Sequence, residues 1–236
     1  MSETLTGFKA MDSSSDSKGE SRLVRVLLVD TSSAMSGVPI RQLNQALLRI
    51  GDFLNTEKNI GNIADICVIS FNSNVEEKVP FCPASNCTMP TLSAGGKASM
   101  NKAIIKGLDV IEERIQAYRR SGCLCCCPEI YLLTNGEPTD QDMEEEAKYR
   151  LKQALGGDIQ FFPVGIGDEV NYAHLESYIE DGEGTVLKVQ AEALDAFARL
   201  FIWRYEDMLG YPNTGTACLP IGPWKPINHK QEITLI

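Results

Sequence analysis

The sequence predicts an α/β protein with a mostly parallel central sheet, one antiparallel edge strand and helices on both faces. Two observations carry this. Four apolar runs, "RLVRVLLVD" (22–30), "ADICVISFNS" (64–73), "PEIYLLTNGEPTD" (128–140) and "IQFFPVGIGDEVN" (159–171), read as strands buried on both sides. Segments with helical periodicity separate them, the alternation that builds a parallel sheet between helical layers.

The elements follow in order. Residues 1–21 are rich in Ser and Asp and poor in apolar side chains, and read as a disordered N-terminal tail. After the first strand, Pro39 is placed to start a helix over 38–55. Ile40, Leu43, Leu47, Ile50 and Leu54 recur at spacings of three and four, giving one buried stripe. The second strand is followed by "VEEKVPF" (75–81), short and polar enough for the antiparallel edge. An irregular loop, 82–97, contains "AGGK" and leads to a long amphipathic helix, 99–122, ending at Gly122. The third strand exits through a Gly-Glu-Pro turn into a helix over 141–155. The fourth has a Gly-rich exit, then a short helix (172–180), a short strand (185–189) and a last helix (191–208). Residues 210–236 form a Pro/Gly-rich C-terminal extension without helical period.

Sheets of this kind take ligands beyond the carboxyl ends of their strands, where strand order reverses. That places the loops after Asp30 and after Thr134 on one rim, which the loop containing Lys97 can also reach.

The 236 residues carry a formal net charge of −10. An acidic chain gains nothing from counterion release on nucleic acid, and no polybasic stretch suits an anionic membrane. Nucleic-acid and membrane partners are not expected. The N-terminus has no apolar core of a signal peptide, and no apolar run is long enough to span a bilayer. The expectation is a cytoplasmic protein whose eight cysteines are mostly thiols.

Four segments in order, "VDTSSAMSG", "LSAGGKASMNKAI", "IYLLTNGEPTD" and "FFPVGIGDEVNYAHLESYI", resemble the von Willebrand factor A (vWA) domain, over about residues 22–208. The resemblance implies a three-layer Rossmann-like domain, here 22–209. It looks most like the intracellular bacterial tellurium-resistance type. That implies a stress-response protein in a system with a protein kinase and a PP2C-type protein phosphatase, either of which is then a candidate partner.

The resemblance also implies a metal-ion-dependent adhesion site. The family builds it from Asp-x-Ser-x-Ser in the first loop, a Thr after the Gly-Gly pair and an Asp in the third loop. Such oxygens suit magnesium. Here Asp30 and Ser32 match, but Ala34, Lys97 and Asn135 replace the second Ser, the Thr and the second Asp. The site is degenerate. Asp30 and Lys97 sum to zero charge without a metal, so Lys97 is expected to partner the carboxylate in place of the cation, because a buried carboxylate needs a partner or protonates. No cofactor is expected. If a weak magnesium site persists, Asp30, Ser32 and Asn135 are its ligands. Ser93 and Ser99 are nearby hydroxyls that a shifted loop could present.

The cysteine cluster, Cys123, Cys125, Cys126 and Cys127 with Cys82 and Cys87, reads as two loops near the opposite rim. Four thiolates can hold zinc, but C-x-C-C-C is not a zinc-knuckle spacing, so the cluster is expected to be reduced and empty. Cys67 reads as core, and Cys218 in the tail is uninformative. "GIGDEVN" lacks the third glycine of a dinucleotide loop. His174 and His229 sit in no nucleophile–base context, and Glu144-Glu145-Glu146 reads as a solvated helix face. With no catalytic constellation, a non-enzymatic protein-interaction module is expected. The alternative is magnesium-dependent binding through the residual site.

Overall fold

The computed structural model describes residues 21–157, 159–179, 186–210 and 233–235. Residues 1–20 of the expected N-terminal tail and most of the C-terminal extension lie outside these residues, while Ser21, assigned to the tail, opens the first strand. The elements are β1 (Ser21–Asp30), α1 (Val38–Thr56), α2 (Lys58–Gly61), β2 (Ala64–Phe71), β3 (Val75–Pro83), α3 (Met100–Ser121), β4 (Leu124–Thr134), α4 (Glu144–Leu155), β5 (Gln160–Ile166), α5 (Tyr172–Glu176), β6 (Leu187–Val189), α6 (Leu194–Gly210) and β7 (Ile233–Leu235). One sheet orders them β3-β2-β1-β4-β5-β6-β7. Every pairing is parallel except β2 with β3, the edge the polar sequence of β3 predicts.

The sheet divides two core layers. Leu27 and Val29 of β1, with Tyr131 and Leu133 of β4, face α1 and α6. Val26 and Leu28, with Ile130 and Leu132, face α3, α4 and α5. Successive side chains leave a strand on opposite faces, and all of these are fully or almost fully buried. The continuous apolar runs are the sequence trace of strands covered on both sides. The predicted stripe of α1 is buried, and α3 stops at Gly122, whose φ of 78° suits the left-handed residue after a helix.

Two boundaries differ from expectation with a physical reason. β4 begins at Leu124, so the cysteine run lies on a strand rather than in a loop. Ser21–Leu23 of β1 pair with Leu124–Cys126, extending the ladder. The register then slips between Leu23 and Arg25. The extra residue falls at Cys127–Pro128, and a bulge accommodates the missing N–H of proline. At the other edge, part of the C-terminal extension joins the sheet as β7, parallel to β6.

Candidate adhesion-type site at the carboxyl rim

β1 and β4 are adjacent, and their onward connections run to opposite sides, so the crevice between their carboxyl ends is the switch point. Asp30 closes β1 and Thr134 closes β4, with Val29 and Leu133 in register just before them. Both side chains are completely buried. Thr134 Oγ1 donates to Asp30 Oδ2 at 2.7 Å, and the Ser32 amide donates to Asp30 Oδ1 at 2.7 Å. Burial raises the Asp30 pKa above its ordinary value, and hydrogen bonds from Thr134, Ser32 and the Asn135 backbone oppose that shift only in part.

Ser32 is buried beside this carboxylate. Its hydroxyl favours the Asp30 charge, but its Oγ makes no full hydrogen bond among the described residues. Ala34 is exposed, and a Cβ on Gly136 would lie 3.4 Å from the Ala34 Cβ and 4.0 Å from Asp30 Oδ2. Ala34 and Gly136 therefore meet next to the buried carboxylate. Asn135 is half-buried, and a Cβ on Gly167 would lie 3.4 Å from its Nδ2, which puts the carboxamide against the turn after β5.

The loop before α3 is stitched to the same rim by its backbone. Gly95 N–H donates to Thr31 O at 2.8 Å, and Ser33 N–H donates to Gly96 O at 3.0 Å. Ser99 N–H donates to Asn72 O at 2.9 Å, and Thr139 N–H to Ala98 O at 2.8 Å. Gly96, at φ 84°, packs against Ser73, where a Cβ would meet Oγ at 2.7 Å. The three predicted loops thus converge.

The Lys97 side chain does not complete the expected pair. Its amide donates to Ser73 Oγ at 3.0 Å, the residue is exposed, and no ion pair joins it to Asp30. Drawing an ammonium inward would desolvate a second charge, a cost that often exceeds the attraction gained. Neutral donors and a raised pKa accommodate the carboxylate instead. Ser93 is exposed and Ser99 is buried before α3.

Sequence reasoning gave Thr134 and Asp140 no role. The Asp140 carboxylate accepts the first amides of α3, from Asn101 at 3.2 Å and Lys102 at 2.9 Å. Tyr178 donates to Asn101 Oδ1 at 2.7 Å. No local signal marks this role, because Asp140 precedes α4 in sequence but caps α3, whose first amides lie almost forty residues earlier.

Residues that could offer a metal oxygen here are Asp30, Ser32 and Asn135. Elsewhere, His174 Nε2 lies 3.1 Å from Glu144 Oε1, and Lys148 also pairs with Glu144 at 2.6 Å. Glu145 and Glu146 are exposed, so only part of that acidic run is a solvated face. His229 lies outside the described residues. Cys67, Cys82 and Cys87 are free thiols; the Cys127 side chain and Cys218 are not among the described parts. Among the described residues no helix is long and apolar enough to cross a membrane.

Comparison with known proteins places this domain in a family. The family model for the von Willebrand factor type A domain matches residues 26–199. Inter-alpha-trypsin inhibitor heavy chain H3 of Mus musculus is 23% identical over 71% of this chain, and heavy chain H4 of Homo sapiens is 25% identical over 71%. The chain spans only 19% and 18% of those relatives' lengths. Among solved structures, a von Willebrand factor type A protein from Catenulispora acidiphila superposes with a TM-score of 0.62 at 16% identity, covering 78% of this chain and 43% of that one. BatB from Bacteroides thetaiotaomicron gives 0.54 at 15% identity, covering 80% and 100%. Those structures share the fold, and the chain itself belongs to the von Willebrand factor type A domain family.

Proposed function

We propose that the chain is a non-enzymatic protein-interaction module whose binding surface is a degenerate, metal-free adhesion rim. Domains of this family are in general protein-interaction modules. The observation that carries the reading is the chemistry of the Asp30 pocket. Its single carboxylate already accepts from Ser32 and Thr134. Beside it stand one hydroxyl and one carboxamide, while Ala34 and Lys97 bring no ligand oxygen. A hard divalent cation wants six oxygens and charge compensation, and this donor set does not fit it. A partner would then meet the exposed Ser33, Ala34 and Lys97 directly, without a shared ion.

The four motif segments favour the intracellular tellurium-resistance type, hence a cytoplasmic stress-response role with a protein kinase or a PP2C-type phosphatase as partner. The orphaned Ser32 hydroxyl supports the second reading, residual magnesium-dependent binding, because an oxygen without a protein partner is available to a cation. Calorimetry with magnesium, followed by binding of candidate kinase and phosphatase partners with magnesium or with chelator, separates the two. The metal-free reading expects no magnesium heat, chelator-insensitive binding and weakening by Lys97→Glu. Saturable magnesium binding together with chelator-sensitive partner binding would replace it with the second.

A further inference from the structure

We propose that Cys82 and Cys87 are an oxidisable dithiol that closes to an intramolecular disulfide, a modification site separate from the rim. Cys82 lies near the end of β3, in register with Ile66 of β2. Ile66 and Cys87 belong to the core layer under α1, and Cys82 packs against the same layer. Cys67, the residue after Ile66, faces the other layer and is fully buried. Strand alternation thus removes Cys67 from the pair and leaves Cys87 as the partner on the Cys82 face.

One 3-10 turn, Ala84–Asn86, brings the chain back between the two cysteines. Cys87 N–H donates to Ala84 O at 3.3 Å, and Asn55 Nδ2 donates to Cys87 O at 3.1 Å, which fixes the Cys87 backbone. Both side chains thus lie against one core layer, on either side of that turn. The neighbouring Cys87 lowers the pKa of the half-buried Cys82, helped by the Arg114 charge and opposed by burial and Asp65. The neighbouring Cys82 and burial push the Cys87 thiol up. Cys82 is the more exposed of the two and Cys87 is almost fully buried, so Cys82 is the attacking sulfur and Cys87 the resolving one.

Hydrogen peroxide supplies the oxidising equivalents. The Cys82 thiolate attacks one peroxide oxygen, the O–O bond breaks, and hydroxide leaves and is protonated to water, giving a sulfenic acid. The Cys87 sulfur then attacks the Cys82 sulfur. The S–S bond forms, the S–O bond breaks, and hydroxide departs with the Cys87 proton as a second water. Two electrons pass from the two sulfurs to peroxide.

The pair sits at the base of the segment that carries Lys97. From Cys87 the chain passes Met89, packed on Gly51, and Leu92, held by the Asn44 side chain at 2.8 and 2.9 Å. It then reaches the rim through Gly95 and Gly96. The disulfide would anchor that segment covalently to β3.

Peptide mapping tests this on the full chain. Trypsin cuts after Lys78 and Lys97, giving one peptide with both cysteines and no others. After graded peroxide and alkylation in denaturant, that peptide is expected to be lighter by two hydrogens and unalkylated, and dithiothreitol should reverse this. Cys87→Ser should leave a Cys82 sulfenic acid that dimedone traps. A wild-type map in which both thiols still alkylate while other cysteines oxidise overturns the proposal. A disulfide from Cys82 to any other cysteine, or to a second chain, does the same. The wild-type map decides even if the variant fails to fold.

Discussion

Buried carboxylates are treated differently at the two ends of this sheet. Away from the carboxyl rim, charge meets charge. Glu129 of β4 is ion-paired with Arg25 and Arg204 and accepts from Tyr131 at 2.7 Å. Asp65 of β2 is ion-paired with Arg114, whose Nε donates at 2.8 Å. Aromatic rings close over these guanidinium groups, with Arg25 lying 4.0 Å from the Tyr205 centroid and Arg114 4.9 Å from that of Tyr118. At the carboxyl rim, Asp30 is equally buried and receives only neutral donors. The paired carboxylates clamp strands to helices. The unpaired one keeps an electrostatic demand that the fold does not meet.

Predictions follow that would break or sharpen this contrast. The largest effect is expected at the paired end. Glu129→Ala leaves two buried arginines uncompensated and should cost ~3–5 kcal/mol in denaturant melts. A loss below ~1 kcal/mol would mean the network is wet and the contrast is not electrostatic.

Rebuilding the rim comes next. Ala34→Ser, Lys97→Thr and Asn135→Asp together restore the hydroxyls and second carboxylate. Magnesium should then stabilise the triple variant by about 2.7 kcal/mol at a hundredfold excess over its Kd, and leave the wild type unmoved. If the wild type melts several degrees higher in millimolar magnesium, the rim is not metal-free.

Thr134→Val removes the hydroxyl donor to Asp30 without changing shape. A loss of ~1–3 kcal/mol is expected, with the Asp30 pKa driven further up. An unchanged carboxyl shift in carbon NMR would show that the threonine is not its partner.

Asp30→Asn tests the sign of the burial effect. Because burial raises the Asp30 pKa above its ordinary 3.8, the folded state holds that proton more tightly than the unfolded chain. Wild-type stability should fall as pH rises from about 3.8 through the folded-state pKa. The variant lacks this fall, so its stability relative to wild type, about 1 kcal/mol lower or less in acid, should improve with pH. A pH-independent difference would mean that Asp30 is ionised at no cost.

The smallest effect is expected for Lys97→Thr alone, within about 0.5 kcal/mol of wild type, since an exposed side chain with no ion pair to Asp30 stabilises little. A loss of several kcal/mol in thermal melts would restore the lysine as the partner of Asp30.

The sequence by itself determined the α/β class, the antiparallel edge, the buried face of α1 and the convergence of the three rim loops. These are local properties. Apolar runs, helical periodicity and turn residues act over a few positions, and the switch point follows from strand order once the strands are known. Tertiary structure decided what each rim side chain does. Charge counting paired Lys97 with Asp30, but whether a long side chain points inward depends on the bonds that the Gly95 amide, the Gly96 carbonyl and the Lys97 amide make to distant residues. Thr134 became the partner because β4 lies beside β1, more than a hundred residues away in sequence. The start of β4 was likewise non-local, since the cysteine run becomes a strand only where Ser21–Leu23 lie alongside it. Desolvation acts the same way: the Asp30 carboxylate is ordinary in the chain, and its raised pKa exists only because two core layers and two loops exclude water from it.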